Sequence, residues 1–94
     1  MNKQWYIICY DISDNRKRNR VATLLESMGQ RVQKSVFECH LTAKEIETTR
    51  EKLAKEINME TDSVRIFNLC ENCRRATRVI GTGIYTTDEK IIIL

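Results

Sequence analysis

Residues 5–11, Trp-Tyr-Ile-Ile-Cys-Tyr-Asp, form an unbroken apolar and aromatic run that ends on a carboxylate. A continuous run of this kind, without alternating polar residues, predicts a strand that is covered on both faces. We therefore place residues 5–10 at the centre of a sheet and order the other predicted elements around them.

Two amphipathic helices are predicted further along the chain. Residues 13–15, Ser-Asp-Asn, supply capping side chains, and apolar residues then recur at helical spacing until Gly29, which predicts a helix over 16–28. Residues 42–45, Thr-Ala-Lys-Glu, form a capping box that opens a second helix over 43–58. Each helix has one apolar face, so both are expected to pack on the sheet.

Extended structure is predicted for residues 30–41, where Phe37, Cys39 and Leu41 fall on one face. Val32 has the opposite parity from Phe37. We therefore expect a kink, a bulge or a division into two short strands near residue 33. Further strands are predicted at residues 64–69 and 78–80.

The resulting element order is βαββαβ, followed by a tail. Because strand crossovers are right-handed, both helices are expected on one face of a single antiparallel sheet. We therefore predict an α+β fold, a ferredoxin-like sandwich with residues 1–94 as one domain. Residues 91–94 are apolar and need a partner surface, either their own sheet edge or the edge of a second copy. We favour a homodimer in which residues 81–94 are a dimer-exchanged or partner-binding tail.

Composition narrows the class of protein. The chain is 41% hydrophobic and 31% charged, and no apolar run approaches the roughly 18 residues of a membrane span, which excludes membrane and fibrous proteins. Residues 1–6 lack the features of an export signal, so we expect a cytoplasmic protein whose four cysteines are reduced thiols. The net charge of +3 is concentrated before residue 41 and after residue 62, which suits a polyanion but equally suits a solvated surface.

Asp11 is the first candidate functional residue. A carboxylate at the end of an apolar strand is costly unless it is capped, paired or bound to a metal. One interpretation is an Asx-type cap with Ser13 and Asp14 in the following turn. The other is a ligand for Mg²⁺, which takes one or two carboxylates and can activate water against a phosphodiester. A symmetric dimer would supply a second copy of Asp11.

A basic cluster follows at the start of the first predicted helix. Its members, Arg16, Lys17, Arg18 and Arg20, oppose the helix macrodipole, so another interaction is expected to favour them there. By helical angle, Lys17 and Arg18 lie near the apolar stripe, whereas Arg16 and Arg20 point to solvent. Phosphate binding and a solubilising surface are both compatible with the cluster.

Three other groups of residues are weaker candidates. Phe37 is either a core residue or a platform for base stacking, and Arg31 lies on the same strand face if the register is uninterrupted. Cys70 and Cys73 have the spacing of half a zinc site, which residues 39–40, Cys-His, could complete. A thioredoxin-like role for the pair is disfavoured, because no helix start is predicted there.

Three motifs follow one another within the first 40 residues. They are Tyr10-Asp11-Ile12-x-Asp14, Arg16-Lys17-Arg18-x-Arg20-Val21 and Gly29-x-Arg31-Val32-Gln33-x-Ser35-Val36-Phe37-Glu38. In order and spacing they resemble the CRISPR-associated Cas2 family, small proteins that work beside the Cas1 integrase in acquiring new spacers. The rest of the chain agrees with the family in length and element order.

The resemblance implies a symmetric homodimer in which C-terminal strands complete the neighbour's sheet. It implies that Asp11 is the catalytic carboxylate and ligates Mg²⁺ or another divalent cation together with its symmetry mate. The resemblance also matches four residues to family positions that are associated with nuclease activity or with nucleic-acid contact. They are Arg18, Arg20, Arg31 and Phe37. The Cys70 and Cys73 pair gains no role from the family.

The implied function is metal-dependent cleavage of phosphodiester bonds, in RNA or double-stranded DNA, during spacer acquisition with the integrase. The alternative is a non-catalytic adaptor that binds duplex DNA and bridges integrase dimers. We therefore expect a second copy of the chain, the integrase and nucleic acid as partners. We also expect Arg16 and Lys17, in the same basic cluster, to bind the nucleic acid.

Overall fold

The computed structural model describes residues 2–76, 78, 80, 84–86 and 91–93. None of the helices in these ranges is long and apolar enough to cross a membrane. The elements in chain order are β1 Lys3–Asp11, α1 Asn15–Glu26, β2 Gly29–Gln33, β3 Val36–Thr42, α2 Ala43–Glu56, β4 Ser63–Leu69, α3 Glu71–Ala76, β5 Ile84–Thr86 and β6 Ile91–Ile93.

The first four strands form one antiparallel sheet in the order β2-β3-β1-β4. Strand β1 lies between β3 and β4, which confirms its predicted central position. The connection through α1 passes over β3, and the connection through α2 passes over β1. This interlocked pair of crossovers is the ferredoxin-like arrangement, so the predicted α+β fold is confirmed.

Both long helices cover the same face of the sheet. The core on that face combines alternate residues of the central strands with Val21 and Leu25 from α1 and Leu53 from α2. The strand residues in this core are Tyr6, Ile8 and Tyr10 of β1 and Phe37, Cys39 and Leu41 of β3.

The opposite face of the sheet, which we call the open face, differs from the prediction. Trp5, Ile7 and Cys9 alternate with the core residues of β1 and are only half-buried. Phe67 of β4 pairs with Ile7 in the sheet register and is 50% exposed. In this single chain β1 is therefore fully covered on the helix side and only partly covered on the open face, so the expected cover on both faces is confirmed in part.

The predicted break near residue 33 is confirmed as a hairpin with a bulge. Residues 34–35 form the turn, and the β2–β3 register shifts between Arg31 and Gln33. Gly29 pairs with Cys39 at the start of β2, whereas α1 already ends at Glu26. Gly29 is therefore a strand residue in close contact with β3 instead of the residue that stops the helix.

The second half of the chain confirms the capping box and corrects two other predictions. Thr42 and the side chain of Glu45 cap α2 reciprocally, and the helix ends at Glu56 instead of residue 58. Helix α3 was not predicted. The strand predicted at residues 78–80 is wrong at Arg78 and Ile80, which lie outside strands, and residue 79 is outside the described ranges.

The C-terminal tail contains a short antiparallel pair, β5 with β6, separate from the main sheet. Residues 81–83, 87–90 and 94 of the predicted exchange segment lie outside the described residues. Exchange of this tail between two copies stays a prediction.

Candidate functional site

Asp11 ends β1 as an exposed residue. Alternation along the strand places it on the open face with Ile7 and Cys9. Within the part of the chain that the structure describes, no group donates a hydrogen bond to its carboxylate. The cap of α1 is made by Asp14, which accepts hydrogen bonds from the backbone N–H groups of Arg16 and Lys17 at 2.8 and 3.1 Å.

The pKa of Asp14 agrees with its role as the cap of α1. The backbone N–H groups of Lys17 and Arg16 hold the pKa of Asp14 below its ordinary value. The loop between β1 and α1 is also held by Asp62, whose carboxylate accepts a hydrogen bond from the Ser13 N–H at 3.3 Å. The capping interpretation of Asp11 is therefore wrong, because Asp14 makes the cap.

Arg65 on β4 is a functional candidate that was not predicted from the sequence. It pairs with Cys9 in the register, and Asp11 pairs with Ser63, so Arg65 is the diagonal neighbour of Asp11 on the open face. Diagonal neighbours across antiparallel strands are about 7–8 Å apart. Burial raises the pKa of the Cys9 thiol, and the nearby Arg65 charge opposes that rise. The sequence signal for Arg65 was its position in the strand predicted at residues 64–69, because alternation along a strand determines which face each side chain takes.

The basic cluster on α1 divides as predicted into two half-buried and two exposed residues. Arg18 donates to the Ile12 carbonyl oxygen at 3.0 Å and to Asn15 Oδ1 at 2.6 Å, so it holds the loop that follows Asp11. Arg20 forms an ion pair with Glu56 of α2. The remaining members are Lys17, which is half-buried, and Arg16, which is exposed.

Arg31 and Phe37 lie together, but only one of them is accessible. Phe37 is fully buried at 0% exposure, and its ring centroid is 6.2 Å from that of Tyr10. The guanidinium of Arg31 lies 5.1 Å from the Phe37 ring centroid and 3.5 Å from Glu26 Oε1. A fully buried ring cannot stack on a base, so Phe37 supports the fold and Arg31 is the accessible candidate for contact.

The proposed zinc set does not assemble. Cys39 is fully buried on the helix side of the sheet, whereas His40 stacks on Trp5 of the open face with ring centroids 4.2 Å apart. Among the described residues, no group of three His, Cys, Asp or Glu side chains is placed to hold a metal.

Cys70 and Cys73 are placed differently from the prediction, which found no helix start beside them. Cys70 directly precedes α3, and its carbonyl accepts a hydrogen bond from the Arg74 N–H at 3.0 Å. The two sulfur atoms are 3.0 Å apart on an exposed surface. The cysteine pair therefore lies at a strand-to-helix junction.

Comparison with known proteins identifies the family. The family model for CRISPR associated protein Cas2 matches residues 4–77. The CRISPR-associated endoribonuclease Cas2 1 of Chloroflexus aurantiacus is 45% identical over 80 residues, covering 84% of this chain and 86% of that protein.

Two solved structures agree with this match. Cas2 of Streptococcus pyogenes superimposes with a TM-score of 0.76 at 33% identity, covering 82% of this chain and 99% of that one. A chain of a partial Cas6-RT-Cas1–Cas2 complex gives 0.66 at 30% identity, covering 82% and 90%. The chain belongs to the CRISPR-associated Cas2 family.

Proposed function

We propose that two copies of this chain form a metal-dependent endonuclease that acts in the cytoplasm during CRISPR spacer acquisition. The observation that carries the proposal is the exposed carboxylate of Asp11, which ends the central strand on the open face. The Chloroflexus relative is an endoribonuclease by name, and that activity is our first expectation for this chain. Double-stranded DNA is the second substrate class to be tested.

The open face supports the homodimer. Ile7 and Cys9 are half-buried and Phe67 is 50% exposed, so an apolar strip runs along this face towards Asp11. Exposed apolar strips of this kind mark interaction surfaces, and two sheets pack face to face about 10 Å apart. A twofold axis over the strip would bring the two Asp11 carboxylates towards one another.

A pair of Asp11 carboxylates suits Mg²⁺, which binds through one or two carboxylates and keeps several waters. A divalent cation there supplies Lewis-acid polarisation of a phosphodiester and activation of water. The chain's own residues bind and orient the substrate. Arg65 lies beside Asp11 on the same face, where its guanidinium can hold a phosphate through paired hydrogen bonds. Arg18 fixes the loop after Asp11 and thereby positions the start of α1.

The basic residues support binding to the nucleic-acid backbone. Positive charge around the site comes from Arg16 and Lys17 on α1 and from Arg31 on β2. The charge of Arg31 is partly balanced by an ion pair within the chain, and so is that of Arg20. Contacts of this type recognise phosphates and are independent of base sequence. Binding should therefore weaken steeply as salt rises.

The test compares Asp11→Asn with Glu51→Gln, which neutralises an exposed carboxylate on α2. With Mg²⁺ present, Asp11→Asn should lose cleavage of RNA and duplex DNA by about 100-fold or more, since several kcal/mol of charge stabilisation are removed. Binding and the circular dichroism spectrum should be retained, and Glu51→Gln should cleave like the parent. Equal cleavage by Asp11→Asn and the parent would refute the assignment.

A second function is favoured by the likeness to a chain of the Cas1–Cas2 complex. In this alternative the homodimer is a non-catalytic adaptor that holds duplex DNA and bridges integrase dimers. Asp11→Asn should then leave spacer integration by the reconstituted complex unchanged. Deleting residues 91–94 should abolish integrase binding, and retention of that binding by the shortened chain would count against the adaptor.

A further inference from the structure

The cysteine pair at the start of α3 is the strongest feature that the proposed nuclease leaves without a role. The sulfur atoms of Cys70 and Cys73 are 3.0 Å apart, and both residues are exposed. A disulfide requires about 2.05 Å between the sulfurs, so the pair can close with a small side-chain movement. The other two cysteines differ, because Cys39 is buried and Cys9 is half-buried.

The chemistry of the two thiols is asymmetric. The Cys73 thiol and the Cys73 backbone N–H, whose nitrogen is 3.2 Å from the Cys70 sulfur, lower the pKa of Cys70. The same contact with Cys70 raises the pKa of Cys73. Burial raises the pKa of Cys39 to about 11. Cys70 is therefore the thiol that attacks first, and Cys73 is the thiol that completes the bond.

We propose that Cys70 and Cys73 are a reversible dithiol–disulfide pair that reacts with low-molecular-weight disulfides. The Cys70 thiolate attacks one sulfur of the oxidant and releases one thiol, which leaves a mixed disulfide on Cys70. Cys73 then loses its proton and attacks the Cys70 sulfur, which releases the second thiol. Two protein thiols are oxidised and one small disulfide is reduced to two thiols, so two electrons and two protons are transferred.

The disulfide would act on the position of α3. Cys73 is followed by Arg74, whose guanidinium lies 3.6 Å from the Trp5 ring centroid and donates to Glu38 Oε1 at 3.0 Å. These contacts hold α3 against the open face. A bond from Cys73 to Cys70, which follows β4 directly, would fix the first turn of α3 and with it Arg74 over Trp5. The inference does not depend on nuclease activity.

The experiment uses the full chain, fully reduced, at pH 7 without oxygen. Oxidised glutathione is added at graded ratios to reduced glutathione, and the products are quenched in acid, alkylated after denaturation and mapped by mass spectrometry. The expected product is a chain without inter-chain links that has lost two hydrogens, about 2 Da, to a Cys70–Cys73 disulfide and carries alkyl groups only on Cys9 and Cys39, whereas the reduced chain carries four. Dithiothreitol should reverse it. Only glutathione adducts, only links between chains, or no oxidation would overturn the proposal.

Two variants separate the roles of the pair from general thiol chemistry. Cys73→Ser should stop at a stable mixed disulfide on Cys70, whereas Cys9→Ser should form the internal disulfide like the parent. Fluorescence of Trp5, the single tryptophan, should change on oxidation of the parent and not in Cys73→Ser. An unchanged spectrum would refute the coupling to α3. Zinc that co-purifies with the chain and protects both thiols until chelated would overturn the redox role in favour of a metal site.

Discussion

Arg74 of α3 donates hydrogen bonds to Glu38 Oε1 of β3 through Nη2 at 3.0 Å and Nε at 3.3 Å. The two side chains are 4% and 2% exposed, so this ion pair is buried on the open face of the sheet. Three chain segments that are distant in sequence meet here, because the same guanidinium stacks on Trp5 of β1.

Removing one partner of this ion pair should destabilise the fold strongly. Arg74→Ala leaves the Glu38 carboxylate buried and should lower the free energy of unfolding by about 3–5 kcal/mol in urea titrations. Replacing both residues, as in Glu38→Leu with Arg74→Met, should cost much less. Arg75→Ala is the control, since its ion pair with Glu71 is exposed and should contribute less than about 1 kcal/mol. Similar losses for Arg74→Ala and Arg75→Ala would contradict the structure.

Gly29 should not tolerate a side chain. A Cβ at this position would overlap the Glu38 carbonyl oxygen and lie 2.5 Å from the Cys39 sulfur, and the backbone of β3 cannot move away cheaply. Gly29→Ala should therefore lower the free energy of unfolding by about 1–3 kcal/mol in urea titrations. Gln30→Ala, at an exposed neighbouring position, should change it by less than about 0.5 kcal/mol. A neutral Gly29→Ala would show that the β2–β3 contact is looser than described.

The cap of α1 should make stability depend on pH. The pKa of Asp14 is lowered in the folded chain, so its charged form stabilises the fold above the ordinary value of 3.8. That contribution is lost as pH falls through the lowered pKa. The urea midpoint of Asp14→Ala should lie below that of the parent at pH 6, and the difference should shrink at lower pH. Asp14→Asn, which retains a capping oxygen without a charge, should show a smaller pH dependence than the parent.

Arg65 should contribute to nucleic-acid binding through a phosphate. Arg65→Ala should weaken duplex binding and reduce the slope of log affinity against log salt by about 1, measured by fluorescence anisotropy. Lys52→Ala makes the same charge change on the exposed side of α2 and should leave the slope unchanged. Equal slopes for the parent and both variants would remove Arg65 from the interface.

The sequence predicts the elements whose signals are local. The apolar run at residues 5–10, the capping box at Thr42 and the parity break before Phe37 each determine their structure within a few neighbours. Helix α3 has only six residues, and it is held by Arg74 through contacts with Glu38 and Trp5. Those contacts come from distant parts of the chain, so no local sequence pattern predicts helix α3.

The candidate site around Asp11 could be predicted from the sequence in part, as the fold could. The position of Asp11 at the end of the central strand follows from the sequence, and so does the division of the basic cluster on α1. Capping by residues 13–15 also follows from the sequence, but the choice of Asp14 among them depends on the loop geometry, and the proximity of Arg65 depends on the β1–β4 register. Burial of Phe37 depends on the packing of both helices, which a strand pattern alone does not determine.

If two Asp11 carboxylates form one shared metal site, both chains of a dimer are needed for cleavage. Parent and Asp11→Asn chains, refolded together at varied ratios, give mixed dimers whose composition native mass spectrometry measures. Mg²⁺-dependent cleavage should follow the square of the parent fraction, which leaves about a quarter of the activity in an equal mixture. Activity proportional to the parent fraction, about one half in that mixture, would mean that each chain carries its own site and would refute a site shared by the two Asp11 carboxylates.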